Sequence, residues 1–274
     1  MMGQEALKDQ KVTVTPSRLR KRDHGAIICY PGTDITSFDS RVGQMKKLGV
    51  EELILEGSSK IGKYGIIGRG CVSTVVKARL KSEEGVVALK IRRVDANRAD
   101  MMRDFDLQKY ANSFGVGPHA ISASRDLFAM EYMDSVRLGR WFQALKTRTS
   151  KRYTRALIRD VLEQCLLLDI NGLDHGELSN PTKHVLILNN ATDKPKNAII
   201  DYESASKERR VSNLTSVSQF FFLGGWQSVK IQKILGLSDP KSKFTKNKVI
   251  SLLRVYKEKP GREAFENFAS LVGL

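Results

Sequence analysis

The apolar positions of this chain recur at several different spacings, and each spacing predicts an element. Ala26-Ile27-Ile28-Cys29-Tyr30 is a short apolar run ending at Pro31-Gly32, which predicts a strand and a turn. Over 37–48, Phe38, Val42 and Met45 repeat at three- and four-residue spacing before Gly49, so a helix is expected. Val50–Leu55 reads either as a strand or as a helix end. Residues 61–79 and 85–93 predict a strand pair and a third strand, with apolar faces from Val75-Val76 and Val86-Val87-Ala88-Leu89. A helix is expected over 99–112, striped by Met102, Phe105, Leu107 and Tyr110 and ended by Gly115-Val116-Gly117-Pro118. Leu127–Met133 reads as a strand running into a connector. Arg152–Leu168 reads as a long amphipathic helix with Leu157, Val161, Cys165 and Leu168 on one stripe. Val185–Leu188, the turn Asn189-Asn190 and Ala198–Ile200 predict a hairpin. Residues 1–24 are polar and basic without an apolar period, as expected of a flexible arm.

At 274 residues the chain is long enough for one two-lobed core or two small domains. It contains no apolar run of about 18 residues and no apolar signal core near its first residues, so the expectation is a cytoplasmic protein with no membrane partner. Its three cysteines, Cys29, Cys71 and Cys165, are far apart and lack metal-ligand spacing, so they are expected as buried or semi-buried thiols. The net charge of +16 changes the picture more. Cations cluster over 8–22, 137–155, 207–210 and 241–248, which suits a polyanionic partner such as RNA, a ribosomal particle or an acidic protein. A lysine-rich solvated surface is the competing reading.

Four short stretches carry candidate chemistry. Gly68-Arg69-Gly70-Cys71-Val72-Ser73 is a glycine-rich turn whose backbone can approach phosphate oxygens closely. Val87-Ala88-Leu89-Lys90 follows, and strand alternation puts Ala88 and Lys90 on one face. His175-Gly176-Glu177-Leu178 and Ile199-Ile200-Asp201-Tyr202-Glu203 then supply two acidic positions, one to orient a nucleophile and one to hold a metal.

In order and context these stretches resemble the protein-kinase-like superfamily, and within it the compact archaeal class of predicted serine/threonine kinases akin to the RIO kinases and the small KEOPS-associated kinase. The resemblance covers about half of the chain, from Ile61 to Ser206. It implies an α+β, bilobal fold: a flexible basic arm over 1–25, a small α/β module over 26–60 packed on the N-lobe, a β-rich N-lobe over 61–133, and an abbreviated, mainly α-helical C-lobe over 134–274. It also implies ATP and Mg²⁺ or Mn²⁺ as cofactors. Val75 and Ala88 would face the adenine, Met130 would set the depth of its pocket, and the main chain of Glu131 to Met133 would form the hinge. Lys90 would neutralise phosphate with Asp104, or less well Asp106, as its anion. Asp201 would chelate the metal, and Glu177 would stand where the family has its catalytic aspartate. The second metal ligand falls on Thr182 by counting from Glu177 and on His184 by counting back from Val185, and strand context favours His184.

The expected function is therefore slow, metal-dependent transfer of the γ-phosphoryl group of ATP by an atypical serine/threonine kinase or ATPase, with an unnamed protein or small-molecule acceptor. Glu177, with its extra methylene, and His184, with its imidazole, depart from the family pattern. They open the alternative of a nucleotide-gated, pseudokinase-like binding module for RNA or a ribonucleoprotein. Asp201-Tyr202-Glu203 also resembles the small-molecule phosphotransferases.

Overall fold

In the computed structural model, residues 11–32, 34–145, 150–189 and 195–274 are described. They form a mixed α+β protein with a mainly antiparallel sheet and a helical C-terminal part. Two compact units divide the chain: one runs up to Asp106 and includes His119–Tyr132, the other joins Leu107–Pro118 to Met133–Leu274.

In the first unit β1 (Val12–Val14), α1 (Lys21–Ile28) and α2 (Phe38–Lys47) precede β2 (Val50–Leu55). The hairpin β3 (Ser59–Ile61)–β4 (Tyr64–Ile66) stands apart as a two-stranded sheet. β5 (Gly68–Arg69), β6 (Ser73–Leu80), β7 (Val87–Arg92), β8 (Ala120–Ala123) and β9 (Leu127–Glu131) complete a seven-stranded sheet in the order β1-β2-β6-β7-β9-β8, with β5 on β6. Alternation gives this sheet two unlike faces. Val76, Ala78, Leu89, Ile91, Leu127 and Ala129 bury one face with Ile28, Phe38 and Met45 of the first two helices. Ala88, Phe128 and Met130 form a smaller cluster with Met101 and Ala120, flanked by half-buried Val75 and Phe105.

Within the described part of the expected arm, β1 pairs antiparallel with β2, Val12 opposite Leu55. One expectation for the start of the chain is corrected. The strand expected at 26–30 is the end of α1, whose Ile27 and Ile28 are buried in the sheet's larger core. A short apolar run fits either element, and its packing partners decide. Within the small α/β module expected over 26–60, β2 lies inside the sheet between β1 and β6. Residues 1–10 and Asn190 lie outside the described residues.

α2 is locked to the sheet by a buried charge cluster. Arg41, fully buried, donates from Nη1 to the carbonyls of Ile28 and Arg92, both at 2.6 Å, and from Nη2 to Asp126 at 3.3 Å. Arg92 Nη2 reaches the same carboxylate at 2.6 Å, and Gln44 Nε2 donates to its other oxygen at 2.8 Å. Burial alone would raise the Asp126 pKa, but these donors and cations outweigh it and hold the carboxyl below its usual range.

α3 (Met102–Asn112) ends within the second unit, where β10 (Ser135–Arg137), β11 (Val185–Leu188) and β12 (Asn197–Ile199) make a three-stranded antiparallel sheet. Around it lie α4 (Leu138–Ala144), α5 (Lys151–Ile170), α6 (Asn213–Phe222), α7 (Gly225–Leu235), α8 (Lys246–Glu258) and α9 (Arg262–Leu271). The stripe read on α5, Leu157, Val161, Cys165 and Leu168, is fully buried and packs with Phe222, Tyr256, Phe265 and Phe268 in one core.

Candidate functional site

The candidate residues fall into one set in each unit. In the first, β5 and β6 form a tight hairpin in which the Gly70 N–H donates to Ser73 O at 2.8 Å and Gly68 stands opposite Val75. Arg69 and Cys71 are exposed, which corrects the expectation of a buried or semi-buried thiol at Cys71; Val72 is half-buried, and Ser73 is buried. A Cβ built on Gly70 meets only Ser73 O, at 3.4 Å, an ordinary contact. The hairpin therefore does not need glycine there for its own packing. Gly57 is different: its Cβ would lie 2.2 Å from Ile66 O.

Register places Val75 opposite Lys90, Lys90 opposite Phe128, and Ala88 opposite Met130. Val75, Ala88 and Met130, the three expected adenine neighbours, thus share one small apolar cluster on the face that also carries Lys90. Lys90 is 5% exposed, and Asp104 is 2% exposed with Arg98 Nη1 at 3.1 Å from its Oδ1. Asp106, the alternative anion, is exposed. In the expected hinge, the Glu131 N–H donates to His119 O at 2.9 Å and the Glu131 carboxylate accepts from the His119 N–H at 3.1 Å. Glu131 is thus held in sheet pairing, and Tyr132 and Met133 are the connector residues. Met133 O accepts the Ser135 hydroxyl at 2.9 Å.

In the second unit the HGE turn and the end of β12 meet. The His184 carbonyl accepts the Ile200 N–H at 2.9 Å, continuing the β11–β12 pairing up to Asp201. The His175 ring is buried against Tyr202 and His184, with Nε2 3.0 Å from Ile200 O, which assigns it a structural part. Burial, more than any neighbouring charge, lowers its pKa to about 4, so the ring is neutral at pH 7. His184 Nε2 lies 3.4 Å from Glu177 Oε2, which brings these two candidates together. Thr182, the other reading of the second ligand position, hydrogen-bonds to Asn180 Oδ1 at 2.6 Å. Gly176 has φ +87°, and a Cβ there would strike Arg209 and Ser204, so glycine is required at this turn.

Asp201 has φ 76°, the one left-handed non-glycine backbone among the described residues. Such strain persists only where surrounding structure enforces it, and it concentrates at functional positions. Gln164 of α5 holds the strand that precedes Asp201: its Oε1 accepts the Ile199 N–H at 3.1 Å and its Nε2 donates to Asn197 O at 3.0 Å, so the side chain closes the open edge of β12. Asn213 Oδ1 accepts the His175 N–H at 2.8 Å, and Asn213 is in turn held by Asp169. Gln164, Asn213 and Asp169 were not singled out in the sequence. Their partners named here lie 33 to 44 residues away, and no local signal marks them.

Asp201 is a hard carboxylate at a strand end, a donor suited to Mg²⁺. No group of three or more His, Cys, Asp or Glu among the described residues is placed to hold a metal ion. No helix among the described residues is long and apolar enough to cross a membrane. Compared with known proteins, the chain matches no family model and no curated sequence.

Proposed function

We propose that this chain binds ATP and transfers its γ-phosphoryl group slowly, as an atypical protein-kinase-like phosphotransferase with a bilobal fold. The observation that carries the reading is the face of the first unit's sheet on which Val75, Ala88 and Met130 cluster and Lys90 follows at buried register. An apolar patch suits a base, and a nearly buried ammonium suits the phosphates. In this reading Asp201 would hold Mg²⁺ or Mn²⁺, which would supply positive charge to the reaction. Glu177 accepts a hydrogen bond from the attacking hydroxyl or water and aligns it. Phosphoryl transfer depends on alignment and charge more than on a strong base, so a glutamate in this position is compatible with slow turnover.

Thermal-shift titration tests the reading. Millimolar MgATP is expected to stabilise the wild type, and Lys90→Ala is expected to lose most of that stabilisation while keeping its unliganded melting temperature. No stabilisation of the wild type, or equal stabilisation of both, would refute it.

The contact between His184 and Glu177 favours a second reading, a nucleotide-gated binding module. A carboxylate engaged by a neighbouring imidazole is less available to a nucleophile, and the net charge of +16 suits an RNA or ribonucleoprotein partner.

A further inference from the structure

The glycine-rich hairpin is held from outside by a cluster that the phosphate chemistry described above does not use. Arg93 Nη1 donates to the Gly70 carbonyl at 2.9 Å. The same guanidinium makes a two-pronged pair with Asp95, Nε to Oδ1 at 2.8 Å and Nη2 to Oδ2 at 2.6 Å. The Arg93 backbone N–H donates to Val72 O at 2.8 Å, so one residue holds the turn through both main chain and side chain. Its guanidinium carbon stands 4.9 Å from the centre of the Tyr30 ring. Arg69 stands 5.6 Å from the same ring and donates to the Tyr30 hydroxyl at 3.2 Å. Tyr30 is itself tied down, because its carbonyl accepts the Val94 N–H at 3.0 Å.

A lone surface ion pair contributes little, but a planar fork engaged on both prongs, set over an aromatic ring and bonded to a third acceptor is preorganised. Its consequence for the hairpin follows from peptide geometry. In a trans peptide the C=O and the following N–H point in opposite directions. Fixing the Gly70 carbonyl on Arg93 therefore turns the Cys71 N–H away from Arg93. Backbone N–H groups of a turn are the donors that hold phosphate oxygens, and the missing side chain at Gly70 leaves room for them to approach.

We propose that Arg93, clamped by Asp95 and Tyr30, is a positioning residue that sets the Gly70–Cys71 peptide for contact with the phosphates of a nucleoside triphosphate. The role rests on the ATP reading above. It extends the site to the turn after α1, so that Tyr30 tunes phosphate affinity without touching the ligand.

The test uses the full chain and the variants Arg93→Ala, Arg93→Lys and Tyr30→Ala. Amide hydrogen exchange is followed on peptides covering 66–76, and affinities for MgATP and adenosine are measured by thermal shift. Arg93→Ala is expected to speed exchange in the hairpin and to weaken MgATP binding about tenfold, with adenosine affinity changed less than about twofold. Arg93→Lys, which keeps the charge but loses the fork, is expected to behave closer to Arg93→Ala than to wild type, and Tyr30→Ala to fall between them. Hairpin exchange identical to wild type in Arg93→Ala would overturn the proposal, as would equal loss of ATP and adenosine binding. If wild type binds no ATP, the phosphate role falls together with the ATP reading. Faster exchange in Arg93→Ala would then still establish that Arg93 orders the hairpin, whereas unchanged exchange would refute that as well.

Discussion

The Tyr256 hydroxyl donates to Asp169 Oδ2 at 2.9 Å, tying α8 to the end of α5. The same carboxylate accepts the backbone N–H groups of Asn213 and Leu214, each at 3.1 Å, and Asn213 Nδ2 at 2.8 Å. Since Asn213 also receives the His175 N–H, the C-terminal helices brace the HGE turn through one buried acid. Tyr256→Phe should cost about 1–3 kcal/mol, read by chemical denaturation, because it strips one donor from a buried carboxylate. If the brace serves the turn, turnover should fall as well, by more than the change in fraction folded explains.

The pH dependence of stability separates two buried groups. Burial raises the Asp169 pKa to about 6, above its unfolded value of about 3.9, so the folded state holds that proton more tightly. Its contribution is therefore fully present below about pH 4 and lost as pH rises through 6. His175 works in the opposite sense. Its folded pKa of about 4 lies below the unfolded value of about 6.5, so its contribution is present above pH 6.5 and lost as pH falls towards 4. The two slopes oppose each other over overlapping intervals, each on the order of 3 kcal/mol in total. Relative to wild type, Asp169→Asn should make stability rise more steeply between pH 4 and 6, and His175→Asn should make it fall. Parallel stability profiles for all three proteins would show that neither group titrates as described.

How much of this was legible in the sequence depended on how local each signal was. The period of α5, the stop of α2 before Gly49 and the antiparallel pairing of β11 with β12 are written in neighbouring residues, and all three form near where the pattern puts them, while the turn expected at Asn189-Asn190 falls partly outside the described residues. β1 was not readable, since Val12-Thr13-Val14 lies in a basic segment and becomes a strand by pairing with β2, some 40 residues on. α1 was misread because Ile27-Ile28-Cys29 is apolar without a period, and α4 and β8 carry no strong pattern at all. Among the site residues, the glycine turn, Lys90, Glu177 and Asp201 stand out as sequence motifs. Arg93, Gln164 and Asn213 do not, because their meaning lies in partners distant in the chain.

The cluster around Arg41 should be sensitive to loss of its anion. Asp126→Ala leaves a fully buried guanidinium without its carboxylate and should cost about 3–5 kcal/mol by chemical denaturation. Because α2 and the end of β7 meet at this cluster, its loss should also speed hydrogen exchange in both elements. A cost below about 1 kcal/mol would mean that water reaches Arg41 freely.

Asp201 should separate strain from chemistry. Asp201→Gly and Asp201→Ala both remove the carboxylate and should both abolish phosphoryl transfer. Glycine tolerates the left-handed backbone that alanine resists, so the glycine variant should be the more stable of the two by about 1 kcal/mol. Equal stability would mean that the backbone relaxes once the aspartate is gone.

His184 distinguishes a partner of Glu177 from a metal ligand. If its role is to orient Glu177, His184→Ala should lower turnover about 3- to 10-fold while leaving the ratio of Mg²⁺- to Mn²⁺-supported rates unchanged. A selective loss of the Mn²⁺-supported rate would instead assign it to the metal.

The most direct measurement is transfer of label from γ-phosphate-labelled ATP by the purified chain, with Mg²⁺ and with Mn²⁺, to water, to the protein itself or to added acceptors. Slow, metal-dependent loss of the γ-phosphate is expected, reduced in part by Glu177→Gln and removed by Asp201→Asn. ATP binding with no transfer under either metal, or transfer that survives Asp201→Asn, would contradict a phosphotransferase.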